Sequence, residues 1–440
     1  MKKLLVNYVI IGAIFMITGC SEEIAINDVK LTTSRHSKEA VIEDAALRTR
    51  SFFFKEKGRS SVSSKGVSYV TSVSSRSSDV DTLMYVVNFD DNQGFAIFSA
   101  VEADMPLLAV TDCGEYKPNQ KNNEGVEDFI MRAQNKLIAI KDTTNKIGDK
   151  SHLLYVDVVR DTLSYVNIPK KVDVRWGQSG SSAKYCPYPD GLNERATGCV
   201  PTAIAMIMSY FEYPKTMTWT APEIDKRTET LKWKDMKIHD FERTNCKNNT
   251  RGWCEATEEA HLQIAKVMRE LGYIGDAVYG KDTLRNEYIP ATSVYEYGTM
   301  NILKRLGFKY SNYSIFSGLD IGLLQKNNIL LISARNGDMY SGGHCFIVDG
   351  CWNLTVRTTE TVYDTYFTPW AIVSTKKSTT QRCYMHINWG FDGDSNGYYD
   401  DGVFDSSKVR ELDDESHRLD KNDGYNVSYK NVRYLPVGLY

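Results

Sequence analysis

The sequence predicts an α+β protein with two globular parts, a small N-terminal module and a larger C-terminal domain. Its 440 residues are enough for two such parts. Near the N-terminus, alternating apolar residues at 85–89 and 94–100 flank the turn-forming run 90–93, a pattern that predicts a β-hairpin. In the second part, apolar residues recur at helical spacing after Cys199, and an apolar strand follows the glycines at 342–343.

The composition is that of an ordinary globular protein. Hydrophobic residues make up 42% of the chain and charged residues 25%. The formal net charge is −3, and the sequence contains no long basic run. Composition and charge therefore give no support to a nucleic-acid-binding function, and we expect no nucleic acid among the partners.

The first 20 residues have the pattern of an export signal. Lys2 and Lys3 precede an apolar run at 4–17, which ends in Thr-Gly-Cys20. Small residues before a cysteine resemble a bacterial lipobox, in which that cysteine is lipidated and becomes the first residue of the mature protein. A membrane-spanning anchor is the alternative, but about 14 apolar residues are short for a bilayer. We expect an outer-membrane or cell-surface lipoprotein attached through Cys20.

The region after the signal is predicted to form a small α+β module. We expect a helix at 38–57, a loop or frayed strand in the Ser-rich stretch 58–78, a third strand at 107–110 and an amphipathic helix at 126–141. A polar segment at 142–171 resembles a linker. The module holds few candidate catalytic groups and is typical of a binding, inhibitory or folding-assistant domain.

Cys199 is the candidate nucleophile. Thr197 and Gly198 suit a helix start, and Pro201 suits the first helical turn, where its missing N–H costs nothing. The positive end of the helix dipole favours thiolate over thiol at such a position. A lone cysteine is more often a small buried apolar residue, so the catalytic interpretation depends on partners elsewhere in the chain.

A cysteine nucleophile needs a base, a group that orients the base and donors for the oxyanion. His344, at the mouth of an apolar strand after two glycines, is the favoured base, and His386 is the alternative. Asn388 shares a strand face with His386 and would orient a neighbouring imidazole if its strand lies beside that of His344. The Gln178 side chain and the Cys199 backbone N–H are the expected oxyanion donors.

Four short motifs occur in an order that resembles the streptopain family of papain-fold cysteine peptidases, including Bacteroides-type lipoprotein zymogens. The motifs are Trp176-Gly-Gln178, Ala196-Thr-Gly-Cys-Val-Pro-Thr-Ala203, Gly342-Gly-His-Cys-Phe346 with Asp349-Gly350, and Asn388-Trp-Gly390. The hairpin at 94–100 is similar to the family's inhibitory propeptide. The resemblance covers nearly everything after residue 30.

The resemblance implies a papain-like two-subdomain fold, with the cysteine on the helical part and the histidine on the antiparallel β part. It implies that Cys199 is the nucleophile, His344 the base and later acid, and Gln178 the oxyanion donor. Papain-like enzymes have Asn-Ser-Trp-Gly where this chain has Asn388-Trp-Gly. With one residue missing, either Asn388 orients the histidine or Trp389 covers it and excludes water. The resemblance also implies broad endopeptidase activity on protein substrates.

The resemblance also gives the expected domain organisation. Residues 1–20 are the signal peptide, 21–168 a propeptide and 169–440 the peptidase domain. The propeptide would inhibit the enzyme within the same chain during export. Cleavage within 142–171 would free the mature domain from the lipid on Cys20, so that the mature form is secreted.

Neither a metal nor another cofactor is expected. The chain has nine cysteines but no Cys-x-x-Cys pair. Cys246 and Cys254 bracket a polar loop and form a possible disulfide. Residues 392–397 match the first half of a calcium loop, but position twelve is Val403 rather than Glu, which favours a structural turn.

Two other functions compete with the peptidase prediction. A papain-like fold also suits an amidase or acyl transferase acting on cell wall or small amides, because fold does not fix function. A catalytically silent surface lipoprotein that binds protein is the other alternative. Casein cleavage distinguishes a peptidase from an amidase or acyl transferase. Attachment of a thiol-reactive peptide inhibitor at Cys199 distinguishes a peptidase from a catalytically silent binding protein.

Overall fold

The computed structural model describes twelve stretches of the chain. They are 38–54, 62–73, 80–101, 106–118, 120, 122–147, 154–237, 258–284, 287–335, 343–364, 371–405 and 431–439. The helices named here are α1 Lys38–Phe54, α2 Glu124–Ile147, α3 Cys199–Phe211, α4 Glu258–Ile274, α5 Glu296–Leu306 and α6 Ile321–Gln325. Within the described residues, none of the helices is both long and apolar enough to cross a membrane.

The strands form one large antiparallel sheet and two small hairpins. The strands are β1 Ser64–Val73, β2 Val80–Phe89, β3 Phe95–Ser99, β4 Leu107–Thr111, β5 Leu154–Ile168, β6 Thr216–Thr218, β7 Thr228–Thr230, β8 Val278–Leu284, β9 Glu287–Ser293, β10 Lys309–Tyr310, β11 Ser314–Ile315, β12 Ile329–Arg335, β13 Gly343–Asp364, β14 Ala371–Asn388, β15 Gly397–Asp400 and β16 Asn431–Gly438. The large sheet has the order β1-β2-β3-β4-β15-β14-β13-β12-β16-β10, with β11 on β16 and β5 on β13. β6 pairs with β7 and β8 with β9.

The N-terminal module has the predicted α+β architecture. The hairpin of β2 and β3, the third strand β4 and the helices α1 and α2 are confirmed. The apolar face predicted for α2 is buried against the sheet. Of the two alternatives for the Ser-rich stretch, a loop or a frayed strand, the strand is confirmed at 64–73, where β1 pairs with β2. Alternating Val and Tyr residues supply that strand, which the serine content obscured.

The sheet of the module continues into the sheet of the C-terminal domain. β4 pairs antiparallel with β15, with Val110 opposite Tyr398 and Ala109 opposite Tyr399. Main-chain hydrogen bonds and a shared apolar core therefore join the two parts. This arrangement brings the start of α2 to the edge of the sheet where the catalytic candidates lie.

The segment predicted as a linker contains the 15-residue strand β5. β5 pairs with β13 from Leu154 opposite Asp364 to Ile168 opposite Cys351. From Asp161 to Ile168 its residues are exposed or half-buried, so polar side chains are tolerated on this strand. The pairing partner lies about 200 positions away in sequence, so local composition could not reveal it.

The two faces of β13 serve two different cores. Cys345 and Ile347 face the helical part, where α3 and α4 pack. Phe346 and Val348 face the opposite core, which α2 completes. This alternation follows from the period of two in a strand. The fold is therefore the predicted α+β arrangement, with the cysteine on a helix and the histidine on an antiparallel sheet.

Candidate active site

Cys199 is the first residue of α3. The preceding Gly198 has φ of 91°, a conformation that glycine adopts at little cost. A Cβ at Gly198 would lie only 3.0 Å from the Thr292 carbonyl oxygen, so the tight approach of β9 also requires glycine. The Thr202 hydroxyl donates to the Gly198 carbonyl at 2.9 Å and fixes the first turn. The predicted helix start is confirmed, including Pro201 in its first turn.

The strand that carries His344 lies directly against Cys199. The backbone N–H of Cys345, the residue after His344, donates a hydrogen bond to the Cys199 sulfur. The backbone N–H groups of Cys199 and Val200 also point at this sulfur. The helix terminus therefore supplies N–H donors next to the thiol, where the oxyanion of an acyl-transfer reaction forms.

The His344 imidazole is oriented by a main-chain carbonyl. Its Nε2 atom lies 2.9 Å from the Trp389 carbonyl oxygen, to which an Nε2–H donates. That bond leaves Nδ1 as the ring nitrogen able to accept a proton. The ring stacks on Phe391 with centroids 5.0 Å apart, and the His344 residue is 3% exposed. Trp389, one of the two predicted candidates, thus contacts His344 through its backbone.

Asn388 contacts other groups than His344. Its Nδ2 donates to the Val174 carbonyl at 2.8 Å, and its Oδ1 accepts from the Gly390 N–H at 3.2 Å. The expectation that its side chain orients the imidazole is therefore not met by these contacts. The physical reason is the strand register, which places Asn388 opposite Ile347, three residues beyond His344.

A main-chain hydrogen bond holds Gln178 next to the loop that precedes Cys199. The Thr197 N–H donates to the Gln178 carbonyl at 2.9 Å, which ties residue 178 to the loop just before Cys199. The Gln178 side chain is half-buried. Asn388, through Val174, holds the same extended segment four residues earlier.

The catalytic candidates are electrically neutral in this state. Burial raises the pKa of the Cys199 thiol to about 11, and the nearby Glu124 carboxylate adds to that shift. Burial lowers the pKa of His344 to about 4. No hydrogen bond joins their side chains among the described residues. The thiolate expected from the helix dipole is therefore not favoured here, and neither is an imidazolium at His344, because desolvation disfavours both charges.

The start of α2, from the N-terminal module, covers this site. Gly125 lies so close to Trp389 that a Cβ would fall 2.1 Å from its indole ring. Asn123 Nδ2 donates to the Asp394 carbonyl at 3.1 Å and to its carboxylate at 3.2 Å. Glu124, between them, is the acidic residue that raises the Cys199 pKa.

Charged and aromatic contacts hold the module against the C-terminal domain. Arg175 binds the Asp112 carboxylate at 2.9 Å and Lys170 lies 3.6 Å from it. Lys136 of α2 lies 3.4 Å from the Asp400 carboxylate. On α1, Phe53 packs against Trp352, Tyr384 and Tyr398 of the C-terminal domain. The module is therefore anchored at several separate points around the site.

Gly125→Ala is expected to weaken this cover. The added methyl group collides with Trp389, and overpacking of this kind costs about 1–3 kcal/mol. The fraction of chains with an uncovered site should rise roughly tenfold. A time course of chain shortening on a reducing gel measures the effect. Gly280→Ala is the matched control, because its Cβ would have no neighbour closer than 3.8 Å. Equal rates for the two variants would contradict the assigned contact.

The 392–397 loop is a turn in this structure. Gly393 and Ser395 have positive φ, and the Asp394 carboxylate binds Asn123. Among the described residues, no group of three or more potential metal ligands occurs. Cys113 is disulfide-bonded, whereas the predicted Cys246–Cys254 pair lies outside the described residues.

Sequence reasoning missed two functional features. The first is that Asn123, Glu124 and Gly125 cover the candidate active site. No local sequence pattern signals this role, because the residues that they contact are distant in sequence. The second is a buried hydrogen bond of 2.6 Å between Asp349 and His386. Its signal was the Asp349-Gly350 motif, to which no role was assigned.

Two family models match separate parts of the chain. A model of the peptidase C10 family matches residues 176–399, just over half of the chain. A model described as Spi protease inhibitor matches residues 38–137. No curated protein matches the chain.

The solved structures that are similar to it include the following two. A fragment of Prevotella intermedia prointerpain A is 18% identical with a TM-score of 0.47, covering 80% of this chain and 94% of that one. The active wild-type interpain A cysteine protease of the same organism is 20% identical with a TM-score of 0.34, covering 61% of this chain and 94% of that one.

Proposed function

Because the chain belongs to the peptidase C10 family and carries an inhibitor-type propeptide, it is a latent cysteine peptidase, and we propose that Cys199 and His344 are its catalytic pair. The observation that supports these roles most directly is the hydrogen bond from the Cys345 N–H to the Cys199 sulfur. This contact joins the thiol, at a helix terminus, to the main chain of the residue that follows His344.

In the proposed reaction, His344 Nδ1 accepts the Cys199 proton and the sulfur attacks the carbonyl carbon of a peptide bond. The Cys199 backbone N–H and the Gln178 side chain donate to the resulting oxyanion. The C–N bond then breaks as His344 gives its proton to the leaving amine, which leaves a thioester on Cys199. Water, deprotonated by His344, hydrolyses that thioester and restores the thiol.

The orienting group in this proposal is the Trp389 carbonyl. It accepts a hydrogen bond from His344 Nε2 and keeps Nδ1 directed away from Trp389. It also stabilises the imidazolium that forms when Nδ1 takes the proton, because a carbonyl dipole favours the charged ring. Asn388 instead positions the segment that leads to Gln178.

Latency in this proposal has an electrostatic cause and a steric cause. Burial favours the neutral forms of Cys199 and His344, and Glu124 of the propeptide adds its negative charge near Cys199. The propeptide residues Asn123 to Gly125 occupy the space over Trp389 and Asp394. Release of the propeptide would readmit water and allow the thiolate and imidazolium to form together.

We further propose that the zymogen is an exported lipoprotein anchored through Cys20 and that cleavage releases the peptidase domain. The support is the signal-like sequence of residues 1–20 and the location of the propeptide between Cys20 and the catalytic domain. The domain boundaries 1–20, 21–168 and 169–440 belong to this proposal.

One experiment tests the catalytic residues and the release together. Cells that produce the chain are separated into membrane and medium fractions, and each fraction is treated with a labelled peptide epoxide. We expect an unlabelled long form in the membranes and a short form in the medium, labelled at Cys199. A labelled short form retained in the membranes would contradict release. Label elsewhere than Cys199 would contradict the nucleophile, and labelled enzyme that leaves casein intact would favour the amidase alternative.

A further inference from the structure

The segment 171–178 leads to Gln178 and has no regular secondary structure. Its position therefore depends on side chains that bind its backbone. The Asp349 carboxylate Oδ2 accepts the Lys171 N–H at 3.0 Å and the Val172 N–H at 2.7 Å. Farther along, Asn388 binds the Val174 carbonyl.

Asp349 is itself held by a second buried residue. Its Oδ1 atom accepts a hydrogen bond of 2.6 Å from His386 Nδ1. Asp349 is 0% exposed and His386 is 1% exposed. Although burial alone would raise the pKa of Asp349, His386 and the Val172 N–H hold it below its usual value. The carboxylate is therefore charged, oriented at both oxygens and able to bind two amides firmly.

These bonds join three separate parts of the catalytic domain. Asp349 lies on β13, five residues after His344, and His386 lies on β14, three residues before Trp389. The amides belong to the segment that ends at Gln178. The pair thus fixes Gln178 relative to the two strands that carry the base and its orienting carbonyl.

The importance of the pair increases when the propeptide leaves. In the latent chain, Asp112 of the propeptide binds Arg175 and Lys170 and helps to hold the same segment. Processing removes Asp112. The bonds from Asp349 and Asn388 belong to the peptidase domain and remain.

We infer that the Asp349–His386 pair positions Gln178 at the oxyanion site of the processed enzyme. Neither residue contacts the reacting atoms in this inference; both act through the backbone of Lys171 and Val172. The inference rests on the proposed role of Gln178 as an oxyanion donor, so the test includes Gln178 itself.

The test compares two inhibitors on the processed enzyme. A peptide aldehyde forms a hemithioacetal with Cys199, whose oxygen needs the oxyanion donors, whereas alkylation by iodoacetamide needs only a reactive thiolate. Gln178→Ala is expected to weaken aldehyde binding on the order of a hundredfold. His386→Gln is expected to weaken it about tenfold or more, with the alkylation rate of Cys199 within about twofold of the parent.

Two further variants complete the design. Asp349→Asn keeps a carbonyl oxygen for the two amides, so its loss of aldehyde affinity should be smaller than that of His386→Gln. His261→Gln changes another buried histidine, 5% exposed on α4, and should leave both inhibitors unaffected. The fraction of each variant that iodoacetamide alkylates at Cys199 is measured, and each aldehyde affinity is corrected for the unfolded remainder.

The outcomes are distinct. Parent-like aldehyde affinity in His386→Gln, or equal losses for aldehyde and iodoacetamide, overturns the positioning role. If neither Asp349→Asn nor His386→Gln yields any alkylated Cys199, the pair is a requirement for folding and the inference is also overturned. If Gln178→Ala binds the aldehyde as the parent does, the proposed oxyanion role of Gln178 is what fails.

Discussion

Cys199→Ala is expected to abolish casein cleavage and self-shortening of the chain. Loss of a catalytic nucleophile costs on the order of 10⁴-fold or more in turnover, because the remaining binding groups cannot form the thioester. The parent should shorten by about 15 kDa, the size of a domain of 100–150 residues. Incubation of residues 21–440 with casein, followed on a reducing gel, measures both reactions.

The matched control for this variant is Cys186→Ala. Cys186 is a buried free thiol, and its pKa is raised to about 11 by burial, as for Cys199. Its removal should leave shortening and casein cleavage intact. If Cys199→Ala cleaves casein at the parent's rate, Cys199 is excluded as the nucleophile. If neither parent nor variant shortens, limited trypsin treatment shows whether another protease performs the activation.

The second large effect is an expected difference in the reactivity of Cys199 between the unprocessed chain and the processed enzyme. The thiolate is the reactive form, and burial raises the Cys199 pKa to about 11 in the latent chain. At pH 7 roughly one thiol in ten thousand would then be ionised. Cys199 of the unprocessed chain should therefore react with iodoacetamide at least about a hundredfold more slowly than Cys199 of the processed enzyme.

The pH dependence follows from the same pKa. Alkylation of the unprocessed chain should accelerate as the pH rises towards 11, because the thiolate fraction grows there. The processed enzyme should already react at neutral pH, since water readmitted to the site allows the imidazolium–thiolate pair to form. Peptide mapping distinguishes Cys199 from the other thiols. Equal rates in the two forms at pH 7 would show that the propeptide does not control the ionisation of the thiol.

The second prediction also separates two causes of latency. The Gly125→Ala variant disturbs the cover without changing a charged group. If its unprocessed form reacts at an intermediate rate, exclusion of water controls the thiol. If its rate equals that of the parent while its shortening accelerates, the cover acts by blocking substrates alone.

The sequence by itself determined the elements whose signals are local. The β2–β3 hairpin follows from alternation around a turn, and α3 follows from helical spacing after Thr197 and Gly198. The order of four motifs also indicated the family, which the match over residues 176–399 confirms. The hairpin, the helix and each single motif lie within about 20 residues of chain.

Only the tertiary structure decided the features that join distant residues. β5 became a strand because β13 offers it a partner far along the chain. The register of β13 and β14 placed the Trp389 carbonyl, rather than the Asn388 side chain, on His344. The register of the same two strands is irregular between Val348 and Gly350, and it is at this irregularity that Asp349 meets the side chain of His386, whose register partner is Gly350.

The neutral state of the catalytic pair was also a tertiary outcome. The helix dipole favours a thiolate at Cys199, and that local effect was the basis of the sequence prediction. Burial outweighs it and the Glu124 carboxylate of α2 acts in the same direction, because removing water from a charged group costs more than a helix terminus returns. A local sequence signal therefore indicated Cys199 as the candidate nucleophile, whereas its burial in the folded chain raises the pKa of its thiol.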